Sequence, residues 1–265
     1  MTERPSNRSR EPAASAGLTI FAIPGLPEIR KGQNLAALLT QAARRSCIAF
    51  RDGDILVIAQ KIVSKAEGRV IRLATAKPSP RARVLAKALH KDPRLVELIL
   101  RESRRVLRAK RVLIVETRHG FVCANAGIDH SNVPGAGRVS LLPRDPDRSA
   151  RRLAAGLRKA TKKRIAVIIS DTFGRTWRLG LTNVAIGAAG LSVLADLRGQ
   201  RDRSRKLLQA SVVAVADELA AAAGLLMQKS AGLPAVVIRG YRYRPAKSRA
   251  GAATIIRPAK DDLFR

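Results

Sequence analysis

The sequence predicts a mixed α and β fold of the α+β class, on three observations. Short apolar runs of strand length recur along the chain and are bounded by turn residues. Longer segments between them carry apolar residues at helical spacing, with capping residues at their starts. The two kinds of segment interleave, without an internal repeat or a linker to divide the 265 residues.

Taken in order, LTIFAI (18–23) reads as a strand closed by the turn Pro24-Gly25-Leu26-Pro27. Residues 34–43 read as a helix, and Asp52-Gly53-Asp54 turns the chain into a buried strand, ILVIA (55–59). A helix follows over 78–89. Asp92-Pro93, a cap followed by proline, opens another whose apolar positions Leu95, Val96, Ile99, Leu100, Val106 and Leu107 carry it to Arg108. VLIVE (112–116) and FVCAN (121–125) form a hairpin, 126–148 a loop and 149–160 a helix. IAVIIS (165–170) is a continuous apolar run of the kind covered on both faces. A helix over 211–227 and a strand over 235–240 complete the series. Residues 1–17 read as a basic disordered tail, 18–245 as one domain, and 246–265 as a second basic tail.

Composition narrows the function. Apolar residues make up 46% of the chain, enough for a large core, and aromatics only 3%. No run approaches the roughly 18 uncharged apolar residues that a spanning helix needs. Residues 214–227 come nearest and contain Asp217 and Glu218. No secretory signal opens the chain, so a soluble cytoplasmic protein is expected. Cys47 and Cys123 stand apart and beside apolar neighbours, which predicts buried free thiols. The net charge of +31 first suggests nucleic acid. Yet the basic residues are spread over nearly every polar segment without stacking aromatics or a zinc-finger pattern, which fits solvated surface or a polyanionic small substrate better.

Candidate site residues are polar groups where apolar strands end. Asp171 and Thr172 directly follow the 165–169 run, where their oxygens can hold a hard cation such as Mg2+ or Mn2+. Asp129 closes Asn125-Ala126-Gly127-Ile128, whose small residues allow close backbone approach, and Ser131 and Asn132 follow. Lys61 and Lys65 lie just after ILVIA, within reach of phosphate oxygens. Each of these patterns also fits an ordinary turn or a solvated lysine. No Walker loop, no GxGxxG and no Ser-His-Asp order occurs, and His130 reads as an exposed loop residue.

Seven strings in one order carry more: GLPEI (25–29), DGDILVIAQKIVSKAEGR (52–69), KDPRLVELILRES (91–103), NAGIDHSNVP (125–134), LLPRDPDRSAR (141–151), SDTFGRTWRLGLTNVAIGAAGL (170–191) and VADELAAAAGLLM (215–227). Together they resemble the coenzyme F420-0:L-glutamate ligase (gamma-glutamyl ligase) family over residues 18–240. The resemblance implies a mixed α/β ligase fold, a stand-alone ligase domain and an intertwined homodimer. It implies that GTP and Mg2+ or Mn2+, two per site, with K+ a further candidate, serve to join L-glutamate to coenzyme F420-0 through an acyl phosphate. Asp129, Asp171 and Thr172 match metal-binding positions of the family. Leu26, Pro27, Glu28, Ile29, Gln60, Lys61, Lys65 and Asn132 match positions that contact GTP. The chain departs from the archaeal pattern at 227–233, which is short and has no carboxylate, so either a second ion has fewer protein ligands or another acid such as Glu67 or Glu218 serves it.

Overall fold

The computed structural model describes residues 17–131, 133–228, 230–246 and 250–262. Strand β1 (Thr19–Ala22) leads to helix α1 (Leu35–Arg45), capped where the Asn34 side chain accepts the Ala37 N–H at 3.2 Å. Strand β2 (Ile55–Ala59) runs straight into helix α2 (Gln60–Ala66), a helix that sequence reasoning misses because Ala59 offers no capping side chain. After β3 (Val70–Arg72) come α3 (Pro80–Leu89) and α4 (Pro93–Arg101), both with Pro in the first turn and a capping side chain, Ser79 and Asp92.

Here the structure corrects one expectation. The helix predicted to reach Arg108 stops at Arg101, and β4 (Ser103–Lys110) takes over. Val106 fits either period, but β5 (Val112–Thr117) needs a partner, and cross-strand contacts such as Arg105 Nε to Glu116 Oε2 at 2.8 Å decide for the strand. β6 (Val122–Ala124) completes this small sheet as the predicted hairpin. The expected loop at 126–148 contains β7 (Arg138–Ser140), which pairs with β3, and α5 (Pro146–Thr161) begins at an Asp145 cap, earlier than predicted.

β8 (Ala166–Arg175) and β9 (Arg178–Ala189) form a long hairpin. β10 (Ala195–Asp196) and β11 (Val212–Val213) make a short ribbon, and α6 (Val215–Gly224) is shorter than the expected 211–227 because residues 212 and 213 pair as strand. β12 (Ala235–Arg239) ends the series. The central sheet has the order β1-β12-β2-β8-β9, parallel only between β2 and β8. Leu56, Ile58, Val167 and Ile169 face α1 and α5, while Ile55, Val57, Ala166 and Ile168 face α6. Covered on both sides, these strands carry no alternation, which is why they read as unbroken apolar runs. Leu113, Val115, Val96 and Ile99 form a third core under the small sheet.

Two further expectations change. Cys47 is exposed, in a left-handed turn after α1, while Cys123 is buried. Within the expected C-terminal tail, Ala252 is fully buried and donates its N–H to Asp147 at 2.7 Å, so part of that segment packs on the body.

Candidate functional site

The carboxyl ends of the parallel pair β2 and β8 open into a cleft of about 450 Å³, the position where α/β sheets commonly bind ligands. A bulge between Ile169 and Ser170 shifts the register of β8 against β9 there. The Ala185 N–H opposite this irregularity is taken by Asp217 Oδ1 at 2.9 Å, and burial pushes that carboxyl up from its ordinary pKa. Beyond the bulge Ser170, Asp171 and Thr172 line the cleft. Sequence reasoning finds the second and third of these because a polar pair follows an apolar run.

The facing wall is made by α2 and Asp129. Lys61 and Lys65 lie one helical turn apart and both line the cleft. Lys61 Nζ sits 2.7 Å from Asp129 Oδ2, 2.6 Å from Ser131 Oγ and 3.0 Å from the Ser131 carbonyl, so all three of its protons are engaged. Asp129 also accepts the Ser131 N–H and hydroxyl at 2.7 and 3.0 Å. Burial alone would raise the Asp129 pKa; Lys61 and the Ser131 N–H outweigh it and hold the carboxyl below its usual value. Lys65, only 9% exposed at its side chain, pairs with the half-exposed Glu28 at 2.6 Å.

Gln60 is buried and accepts from Ser64 Oγ at 2.8 Å, while its Nε2 has no partner among the described residues. A buried amide donor left unpaired at a cleft wall is a place for a ligand acceptor. The backbone before Asp129 points the same way. Asn125, Ala126 and Gly127 take φ of 51°, 55° and 68° in succession, and left-handed non-glycine residues cost about 1–2 kcal/mol each. Strain of this kind gathers at binding sites. At Gly127 a Cβ would come within 2.9 Å of Leu142, so only glycine fits.

The cleft thus brings together Leu26, Pro27, Glu28, Ile29, Gln60, Lys61, Lys65, Asp129, Asp171 and Thr172. Asn132 lies outside the described residues. Glu67, which accepts from Ser149 Oγ, and Glu218 do not line it, so neither supplies the carboxylate that 227–233 lacks. Sequence reasoning misses Ser170 and Asn183. Asn183 becomes a site residue only through the register of β8 against β9. Cys123 lies beneath the same wall; burial, with the nearby charge of Asp171, pushes its thiol up to about 12. His130 is exposed, as expected, and no shift of role is asked of it.

Three side chains that line the cleft, Asp129, Asp171 and Thr172, offer only oxygen, two carboxylates and a hydroxyl, which suits a hard cation. Among the described residues no three His, Cys, Asp or Glu side chains close a metal centre by themselves. A cation here therefore needs oxygens from a ligand or water to complete its shell.

A model of the F420-0:Gamma-glutamyl ligase family matches residues 25–240. The chain is 49% identical over 251 residues to the coenzyme F420:L-glutamate ligase of Methanothermobacter thermautotrophicus, covering 94% of this chain and 99% of that one. It is 46% identical over 256 residues to the protein of the same name from Methanopyrus kandleri, covering 94% and 98% of the two chains. To that of Methanocaldococcus jannaschii it is 41% identical over 246 residues, covering 91% and 94%.

Proposed function

The chain belongs to the F420-0:gamma-glutamyl ligase family, and from that membership we propose that it joins L-glutamate to the carboxylate of coenzyme F420-0 by a GTP-dependent route through an acyl phosphate. The observation that supports this most is one cleft lined by Asp129, Asp171, Thr172, Lys61, Lys65 and a Gln60 amide donor without a partner among the described residues. That is equipment for handling phosphate rather than for activating a nucleophile by a base.

Amide formation from a carboxylate needs its oxygen turned into a leaving group. The carboxylate oxygen attacks the γ-phosphorus, the bond to the GDP oxygen breaks, and an acyl phosphate forms. The glutamate amine then attacks the acyl carbon, the C–O bond to phosphate breaks, and the amine nitrogen gives up its proton. Lys65 and Lys61 are placed as point charges for phosphate oxygens, and Gln60 Nε2 as a donor to one of them. Leu26–Ile29, which line the same cleft, would contact the nucleotide. Asp129, Asp171 and Thr172 would hold a cation, and Mg2+ or Mn2+ bound there would supply positive charge to neutralise the phosphates. A second cation, lacking a carboxylate from 227–233, would be held chiefly by Asp171, Thr172 and nucleotide oxygens. The same reading includes a homodimer acting in the cytoplasm. Among the described residues no helix is long and apolar enough to cross a membrane.

Mass spectrometry of F420-0 incubated with the protein, GTP, Mn2+ and glutamate tests the proposal. The expected result is addition of glutamyl units with one GDP released per unit. Product formed equally with ATP would remove the GTP assignment, and no product with either nucleotide would overturn the activity.

A further inference from the structure

The Thr172 hydroxyl has one proton and two lone pairs, and the structure shows where the proton goes. Thr172 Oγ1 lies 3.0 Å from Asn183 Oδ1, its direct partner across β8 and β9. Of these two oxygens only the hydroxyl has a proton to donate, so both lone pairs of Oγ1 stay available to the cleft that the two residues line. The amide is held in turn by the shape around it. Asn183 Nδ2 approaches Met227 Sδ at 4.0 Å, and a Cβ on Gly224 would come within 2.9 Å of Nδ2 and 3.0 Å of Cγ. Gly224 ends α6 without a left-handed φ, so the backbone does not demand glycine there; the space filled by Asn183 does.

We infer that Asn183 is a positioning residue that turns the Thr172 hydroxyl, lone pairs outward, toward the cation of the cleft, with Gly224 making room for it. The inference rests on the reading of Thr172 as a cation ligand. A neutral hydroxyl is a weak ligand beside two carboxylates. Giving its proton to a fixed acceptor removes its rotational freedom and enriches its oxygen, which is how outer partners tune metal ligands.

Titration of Mn2+ into the GDP-loaded protein, followed by calorimetry and by the electron paramagnetic resonance of free Mn2+, tests this without any turnover. Asn183→Leu is expected to weaken Mn2+ about tenfold or more, the usual effect of losing an outer partner. Asn183→Asp, which keeps the acceptor and adds charge, is expected to bind at least as tightly as the parent. Gly224→Ala, which displaces the amide, shifts affinity in the same direction as Asn183→Leu. On a Thr172→Val background Asn183→Leu should add nothing, because its effect passes through the hydroxyl. Thermal melts identify any variant that fails to fold; if Asn183→Leu does, Asn183→Asp and Gly224→Ala carry the test. Unchanged affinity in Asn183→Leu beside a weakened Thr172→Val overturns the inference alone. Parental affinity in Thr172→Val overturns the ligand assignment and this inference with it, while the ligase reading is judged separately by product.

Discussion

The two walls of the cleft are built on different physics. The α2 wall is ionic: Lys61 is clasped by Asp129 and Ser131, and Lys65 by Glu28, between residues 37 to 70 positions apart in the chain. The β8–β9 wall is set by strand register, with a neutral hydrogen bond between Thr172 and Asn183 across a hairpin. The first wall holds its cationic side chains in place with carboxylates before any ligand arrives. The second offers oxygens whose direction is fixed by backbone pairing. A ligand that brings phosphate and a cation together must therefore exchange ion pairs on one side and only fill coordination positions on the other.

The largest effect is expected on the register wall. Asp171→Asn removes an anionic oxygen from the middle of β8, just past its pairing with β2, without touching the buried 166–169 core. Losing one carboxylate from cation binding and from charge neutralisation amounts to several kcal/mol, about 100- to 1,000-fold in turnover. Product formation over a Mn2+ series measures this, with thermal melting expected to stay near the parent. Normal turnover at low Mn2+ would contradict the assignment.

On the ionic wall, Lys65→Ala is expected to raise KM for GTP by about 10- to 100-fold while KM for glutamate hardly moves. Its ammonium group is held past a buried strand, where a charge-assisted contact to phosphate is worth more than at the surface. Steady-state kinetics with each substrate varied in turn gives the comparison. Equal changes in both constants would argue against a phosphate contact.

How much of each wall the sequence discloses differs for physical reasons. The point where β8 leaves β2 is legible, although β8 itself runs on to Arg175, because an apolar run covered on both faces stops abruptly at a polar residue, and Asp171 and Thr172 stand out as a result. The cap at Asp92 is legible because it is local. β9 is not, since Leu179 and Leu181 at its start are 96% and 61% exposed and mimic a loop's indifference to pattern. Asn183 stays hidden with it. Nor is α2 visible: seven residues after a strand, without a capping side chain, carry too few turns for a period to show. The Lys61–Asp129 contact joins residues from α2 and from the strained turn before β7, and no local pattern announces it. The ionic wall is tertiary in origin; the register wall is half legible from one strand.

Lys61 sharpens the contrast because its loss should push two affinities in opposite directions. In the structure its ammonium occupies Asp129 Oδ2, an oxygen that a cation would use. Lys61→Met is expected to tighten Mn2+ binding to the nucleotide-free protein by about fivefold, and to weaken GDP binding by a similar factor. Calorimetric titration of each ligand alone measures both. Weakening of both would mean that Lys61 supports the Asp129 geometry rather than competing for it.

The smallest expected effect concerns acid, measured with metal chelated so that only protein groups titrate. The folded pKa of Asp129 lies below its ordinary value, so its pairing adds stability above the unfolded pKa, near 4, and that contribution is lost as pH falls through the lower folded value. In Lys61→Met burial remains while its main opposing contact is gone, so the carboxyl pKa should rise and the pairing contribution vanish. The Asp129 side chain is 34% exposed, which keeps the difference to about 1 kcal/mol or less after screening, or roughly 2–4 °C in melting temperature. The gap between parent and Lys61→Met should therefore be widest at pH 6–7, narrow as pH falls through about 4, and close only below the lowered folded pKa of Asp129. Thr172→Val, which removes a hydrogen bond between neutral groups, should show a gap that does not change over the same range. Melting curves from pH 3 to 7 for the three proteins give the answer. A Thr172→Val gap that closes in acid along with the Lys61→Met gap would mean that the two walls share one electrostatic network, and the division between an ionic and a register-set wall would fail.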